Sequence, residues 1–490
     1  MAAAQLLFNG ERTVVVLFVT RIVLCADSSI LYESLALVML ALYALAVEIC
    51  AEALGRVSSL KTRPGASCGV LLGAITLPAV LASKLIQQSR GYLLREIELE
   101  GLSASVKLVY VVCQGLAAVK VVQHIIYTFP SCASIGEALL VTSGLVHCFG
   151  DMVASTVAEV LVSAQFGINR SEISTIIQGT LFGLLIFPIL FKSIIQIWGH
   201  MSSFHNLDSR RYEIWRTFIF YVLLSFIVIA IMPMWMQFVQ EFNLHPILWI
   251  VRFVFSEPLK RLSLCFYWVS LICVAVLRFY SISKHSKVER ILLRKYYHLM
   301  AVCMFLPAVI YQPMFLDLAF GAALAVFLVL EIIRICRMWP LGQLVHQFMN
   351  AFTDHRDSEI LIVSHFSLLL GCALPIWMSS GYNDRPLAPF AGILSLGIGD
   401  TMASMVGYKY GVLRWSKAGK KTIEGTAAGI TSMLAACLTL LPLLASNGYL
   451  VTENWFPLLF AVTVSGLLEA YTAQLDNAFI PLVFYSLLCL

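Results

Sequence analysis

Three short stretches in the C-terminal part of the chain set acids, lysines and glycines into otherwise apolar sequence. The first is Gly397-Ile398-Gly399-Asp400-Thr401-Met402-Ala403-Ser404. Two glycines before an aspartate suit a kinked or broken helix whose backbone comes close to a ligand. Asp400 would then face a cavity, where a carboxylate can hold Mg²⁺ or accept a proton. The second is Ala418-Gly419-Lys420-Lys421-Thr422-Ile423-Glu424-Gly425-Thr426, opening a long apolar run. Adjacent lysines, a hydroxyl and glycines at a helix start make an anion site, because ammonium groups, N–H groups and the helix dipole all favour phosphate. It is not a Walker A loop: Arg414 stands where that motif needs glycine, and Lys421 intervenes before Thr422. The third runs from Glu469 to Asp476-Asn477. A hard cation wants a few carboxylate oxygens, and Asp400, Glu424 and Asp476 are the supply, with Asn477 as a neutral oxygen donor.

Each stretch also has an ordinary reading. Small residues pack membrane helices together, an acid pairs with a buried base, and an acid–amide pair caps a helix. His298 and His365 have the reactivity of general bases, yet a membrane-boundary histidine is more often an interfacial hydrogen-bonder. Asp357, beside Arg356, is either half of an ion pair or a group that orients a hydroxyl or a nucleotide. Gly150-Asp151-Met152-Val153-Ala154-Ser155 echoes the 399–404 stretch but is followed by no lysine-rich loop. It is assigned no catalytic role.

The elements that position these groups are membrane helices. Of 490 residues 60% are hydrophobic, and only 12% are charged, where a soluble globular chain carries about 25%. Mean hydropathy is +0.86. Soluble architectures, disorder and a disulfide-framed secreted fold are excluded. A bilayer core about 30 Å thick needs roughly 20 apolar residues as helix, so the runs predict about 13–15 crossings. The fold class is all-α, a polytopic transmembrane helical bundle. Thirteen cysteines with no CxxC pair read as packing thiols. The sequon Asn169-Arg170-Ser171 is a tripeptide that arises often by chance.

Residues 1–277 read as an N-terminal multi-helix transmembrane region, and 278–490 as a region where polar residues bunch at helix ends. Ionisable residues at membrane depth are costly and mark functional sites, so the chemistry is sought in the second region. Basic residues dominate 278–295 and 408–421, which places both on the cytoplasmic side. Counting spans in pairs from there delivers four clusters to one membrane face. They are Arg294-Lys295-Tyr296-Tyr297-His298, Asp354-His355-Arg356-Asp357, Asp400 with Lys420-Lys421, and Asp476-Asn477.

Across roughly 290–490 these motifs, in this order, resemble the dolichol kinase family, the CTP-dependent polyprenol kinases of the endoplasmic reticulum. Leu370-Gly371-Cys372-Ala373-Leu374-Pro375-Ile376-Trp377 and Glu469-Ala470-Tyr471-Thr472-Ala473-Gln474-Leu475-Asp476-Asn477 belong to the same match. Asp400 followed by Gly407, Gly411 and 419–425 is similar, more loosely, to the CTP-using core of CDP-diacylglycerol synthases. Here Lys420 replaces the glycine expected before Lys421, and the synthases' later histidine-glycine-glycine and aspartate-arginine signature is absent. That departure favours a kinase over a cytidylyl transferase. The first region shows little diagnostic similarity.

The resemblance implies transfer of the γ-phosphoryl of CTP to the terminal hydroxyl of dolichol, with Mg²⁺ or another divalent cation, at the cytosolic face of the endoplasmic reticulum membrane. The partners it implies are CTP, dolichol or a related polyprenol, and the lipid bilayer, with no nucleic acid. On that reading Lys420 and Lys421 neutralise the triphosphate, helped by backbone near Gly419 and Thr422, with Gly399, Thr401 and Gly425 shaping the nucleotide site. Asp400 and Asp476 carry the cation, and Glu424 supports the metal or the cytidine end. Asp400 or Asp357 assists the hydroxyl, and Arg294, Lys295 and Arg356 are further phosphate contacts. The rivals are a phytol-type prenol kinase, a CTP-dependent phosphatidate cytidylyltransferase, and a transporter or scaffold.

Overall fold

Backbone groups in lipid must pair within their own segment, so apolar runs become helices. The computed structural model describes residues 9–53, 62–63, 66–90, 104–161, 171–201, 209–285, 290–350, 361–379, 385–415, 421–449 and 455–490. In chain order the helices begin α1 (Gly10–Cys25), α2 (Leu31–Ala53), α3 (Val70–Arg90), α4 (Ala104–Thr128), α5 (Ile135–Leu161) and α6 (Glu172–Met201). Next come α7 (Ser209–Phe226), α8 (Met232–Val239), α9 (Pro246–Ser256), α10 (Pro258–His285) and α11 (Arg290–Tyr311). The rest are α12 (Pro313–Cys336), α13 (Gly342–Asn350), α14 (Val363–Ser379), α15 (Thr401–Tyr410), α16 (Ile423–Ser446), α17 (Trp455–Tyr471) and α18 (Asp476–Leu488). Two π-helical segments interrupt the series, Ile227–Ile231 and Ile393–Asp400. No strand occurs among the described residues; one isolated antiparallel bridge joins Arg414 to Thr422.

Eight described helices are long and apolar enough to cross a membrane, and five further apolar helices run to only 10–17 residues. Against the expected 13–15 crossings, the described residues thus hold eight long spans and five short apolar helices. Run length in sequence does not reveal where a helix is broken. The apolar stretch 386–407, for example, is a 3₁₀ turn (Ala388–Phe390), the π segment and α15.

The chain divides into two compact units. The first comprises Met1–Val146, Phe266–Pro313 and Ser367–Leu490, and the second His147–Cys265 and Met314–Phe366. Within the first, α18 is an interior helix. Asn477 and every residue from Phe479 to Leu488 are buried, and its neighbours are α3, α17 and the π segment. Ser83 and Ser486 meet hydroxyl to hydroxyl at 2.6 Å, satisfying the two polar groups at that crossing.

Beside it α15 and α16 approach at backbone distance. A Cβ on Gly425 would stand 2.6 Å from the Ala403 carbonyl and 3.0 Å from the Gly407 Cα, and one on Gly429 would stand 3.0 Å from the Gly399 carbonyl. Glycine at these positions is what lets the helices close. The second unit has an aromatic core in which Phe220 packs edge-on against Phe187 and Phe191. There the buried Arg334–Glu331 pair (2.7 Å) also accepts the Ile362 N–H at 3.0 Å. Asp151, the echo aspartate, accepts a 2.8 Å hydrogen bond from Gln178.

Candidate active site

Asp400 closes the π segment and is only 3% exposed. Its Oδ2 lies 2.5 Å from Lys295 Nζ and 3.2 Å from His298 Nδ1. Both partners come from α11, three residues apart and so on one helix face. Val302 continues that face, and a Cβ on Gly397 would collide with its Cγ2. The glycine thus admits α11 against the π segment and brings Lys295 to Asp400. Single π insertions recur at functional sites because they re-aim side chains, and here the segment ends on the carboxylate.

The second constellation begins at Lys421. Its Nζ lies 2.9 Å from Glu469 Oε1 and donates as well to the Glu469 backbone carbonyl. Burial works against the Lys421 charge, but Glu469 and Asp476 outweigh it and hold the ammonium above the ordinary lysine range, with Asp400 adding to the pull. Asp400, Lys421, Glu469 and Asp476 therefore share one electrostatic neighbourhood, assembled from the π segment, the loop before α16, the end of α17 and the start of α18.

The loop before α16 is held by its own atoms. The Ile423 N–H donates to Leu413 O at 2.8 Å and the Trp415 N–H to Lys421 O at 3.2 Å. Both Glu424 carboxylate oxygens accept the Leu413 N–H, at 3.0 and 3.2 Å. Thr422 caps α16 by accepting the Gly425 N–H at 3.2 Å. Trp415 donates to the Thr426 hydroxyl at 2.9 Å and its ring lies 5.1 Å from that of Tyr471.

Three comparisons with known proteins bear on this arrangement. The family profile described as dolichol kinase matches residues 101–373, more than half of the chain. Dolichol kinase EVAN of Arabidopsis thaliana is 54% identical, with 98% of each chain covered. The chain belongs to the dolichol kinase family. Human dolichol kinase is 32% identical over 74% of this chain and 66% of its own length. Dolichol kinase of Saccharomyces cerevisiae is 32% identical over 48% of this chain and 43% of its own. No solved structure matches. The family signal reaches well into the first region, where sequence motifs alone found little similarity.

For a dolichol kinase family member the sequence-derived residues sort as follows. Asp400, Lys421 and Asp476 are brought together, and Lys295 joins them through Asp400. Glu424 stands in the first turn of α16, just after that loop, and is engaged with the Leu413 N–H. The N–H groups expected to help near Thr422 are largely committed: Ile423 to Leu413, Gly425 to the Thr422 side chain, and Thr426 to the Thr422 carbonyl. Thr401 is buried and Gly399 lies within the tight α16 contact. His365 packs beside the Phe327 ring in the second unit. Asp354, His355, Arg356, Asp357, Gly419, Lys420 and Asn169 lie outside the described residues, and of Arg294 only the helix is described.

Glu469 is the residue the motif reading passed over as a site group. An acid in an uncharged apolar run was the available signal. Among the described residues no three His, Cys, Asp or Glu side chains gather into a cation-holding group. Mg²⁺ is ordinarily bound through one or two carboxylates together with substrate phosphates, not by an all-protein cage. Asp400 and Asp476 both act on Lys421; Asp400 is already paired with Lys295, and Glu424 with the Leu413 N–H.

Proposed function

We infer that this chain transfers the γ-phosphoryl group of CTP to the terminal hydroxyl of dolichol, giving dolichyl phosphate and CDP. The observation that carries the reading is the joining of Asp400, Lys421, Glu469 and Asp476 from four separate segments, in a chain of the dolichol kinase family. Phosphoryl transfer is mostly positioning and charge stabilisation. The chain must therefore supply cations to the phosphates and a dry, fixed frame.

Lys421 exchanges part of its contact with Glu469 for the nucleotide phosphates, and Glu469 keeps the ammonium aimed. Asp400 holds Lys295 by its 2.5 Å ion pair, placing a second ammonium at the same edge. A divalent cation, when bound, neutralises phosphate charge, and Asp400 and Asp476 are the residues that would hold it. Asp400 or Asp357 assists the lipid hydroxyl. Lys420, Arg294 and Arg356 are proposed as further phosphate contacts from their place in the sequence. Glu424 fixes the loop that carries Lys421.

A long-chain polyprenol is presented from the bilayer, which suits a site built from the ends of membrane helices. The basic segments 278–295 and 408–421 favour the cytosolic side, and the endoplasmic reticulum is the membrane where the family's product serves glycosylation. Purified full-length protein in lipid should move label from γ-labelled CTP to dolichol and release CDP, ahead of phytol or diacyl lipids. Release of pyrophosphate, or label only on another acceptor, would refute the reading.

A further inference from the structure

The short connection between α17 and α18, Thr472 to Leu475, immediately precedes Asp476. Its polar groups are held by residues from the other end of the chain. Glu137 Oε1 accepts the Leu475 N–H at 2.8 Å and Arg63 Nη2 at 2.6 Å. The same Arg63 Nη2 donates to the Ala473 carbonyl at 2.9 Å, and Arg63 Nε to Glu137 Oε2 at 3.2 Å. Oε2 also accepts the Ser134 N–H at 2.8 Å. Between the two clamped peptide groups, the Gln474 amide accepts from the Ser134 hydroxyl and donates to Ser67 Oγ at 2.7 Å and Ser67 O at 3.0 Å.

Arg63, Ser134, Glu137 and Gln474 are all buried. A buried pair of charges is weak evidence for stability, because desolvation offsets the attraction. This pair does something narrower. It grips one N–H and one carbonyl of the two residues flanking Gln474, and Leu475 is the N-cap position of α18, whose carbonyl accepts the Ala478 and Phe479 N–H groups at 3.0 and 3.2 Å. Fixing Leu475 fixes where Asp476 starts the helix, and hence its approach to Lys421.

We propose that Arg63 and Glu137 are positioning residues for phosphoryl transfer: their ion pair, from the N-terminal region, clamps the 473–475 backbone and so sets Asp476 against Lys421. The inference rests on the kinase reading above and gives the N-terminal helices a part in it. Misplacement of a catalytic group by about 1 Å can cost about a hundredfold in rate.

The test uses full-length protein in lipid and compares Glu137→Gln, Arg63→Lys and Ser134→Ala. Two quantities are read per folded molecule: kcat and KM for CTP and dolichol, and hydrogen exchange of amides 472–479. Glu331→Gln disrupts an equally buried pair in the other unit and serves as the control. The expected result is faster exchange at 472–479 with kcat down about tenfold or more in Arg63→Lys and Glu137→Gln, and an unchanged KM for dolichol. Ser134→Ala, which removes one hydroxyl and no charge, shows a smaller loss in the same direction and decides the matter if the charge variants do not fold.

Faster exchange with wild-type kcat would overturn the proposal, as would unchanged exchange or the same kcat loss in Glu331→Gln. An inactive wild-type protein would instead refute the kinase reading.

Discussion

Lys421 on the loop before α16 grips Glu469 near the end of α17 by both its carboxylate, at 2.9 Å, and its backbone carbonyl. The pair ties together two segments 48 residues apart and leaves the ammonium within the electrostatic reach of Asp476 and Asp400. A lysine held between a carboxylate and a carbonyl has little freedom. It is aimed before substrate arrives, which is what electrostatic stabilisation of a transferring phosphoryl group requires.

Lys421→Ala should therefore lose about a hundredfold or more in phosphoryl transfer, the scale of removing one preorganised charge donor. The variant also leaves Glu469 without its partner, so some loss of stability accompanies it. Label transfer normalised to protein amount checks this.

Asp400→Asn leaves Lys295 largely buried without its counter-charge. Breaking one side of such a pair costs about 3–5 kcal/mol of stability. Asp400→Asn combined with Lys295→Met removes both charges and should recover most of that loss while remaining inactive. Melting curves and activity of the single and double variants separate the two effects.

Gly425→Ala pushes a methyl group to 2.6 Å from the Ala403 carbonyl, which is backbone and cannot rotate away. The overpacking cost should be about 1–3 kcal/mol, read as a lower melting temperature with parallel loss of activity. Gly429→Ala meets its neighbours at 3.0 Å and should be milder.

Glu424→Ala frees the Leu413 N–H and loosens the loop carrying Lys421. The expected result is a several-fold rise in KM for CTP with melting temperature little changed. Steady-state kinetics with varied CTP shows it.

The pH dependence has a fixed sign at Lys421. Its folded-state pKa is raised, so the stability it contributes is fully present below the unfolded value of about 10.4 and is lost only as pH rises through the folded value. Between pH 6 and 9 Lys421 itself should contribute no alkaline loss. Chemical denaturation of wild type and Lys421→Met should show their difference shrinking only above about pH 10.

Charge placement made part of the site readable in advance. Asp400, Lys421 and Asp476 stand out because acids and lysines are costly in apolar sequence, and they do come together. Their partners were harder to read. The Lys295–Asp400 contact spans 105 residues and depends on Gly397 admitting Val302, a packing fact that no local pattern encodes. Arg63 and Glu137 look like ordinary boundary charges until the fold carries Ala473 and Leu475 between them. The helical class followed from composition, but the π segment before Asp400 did not, since apolar run length is blind to a change in hydrogen-bond register.

The most direct test of the central claim is CTP binding to full-length protein in lipid, measured as a thermal shift for wild type, Lys421→Ala and Asp476→Asn. CTP should raise the melting temperature of the wild type and raise it far less in Lys421→Ala. Equal CTP stabilisation of wild type and Lys421→Ala would contradict the assignment of this charge cluster to the triphosphate.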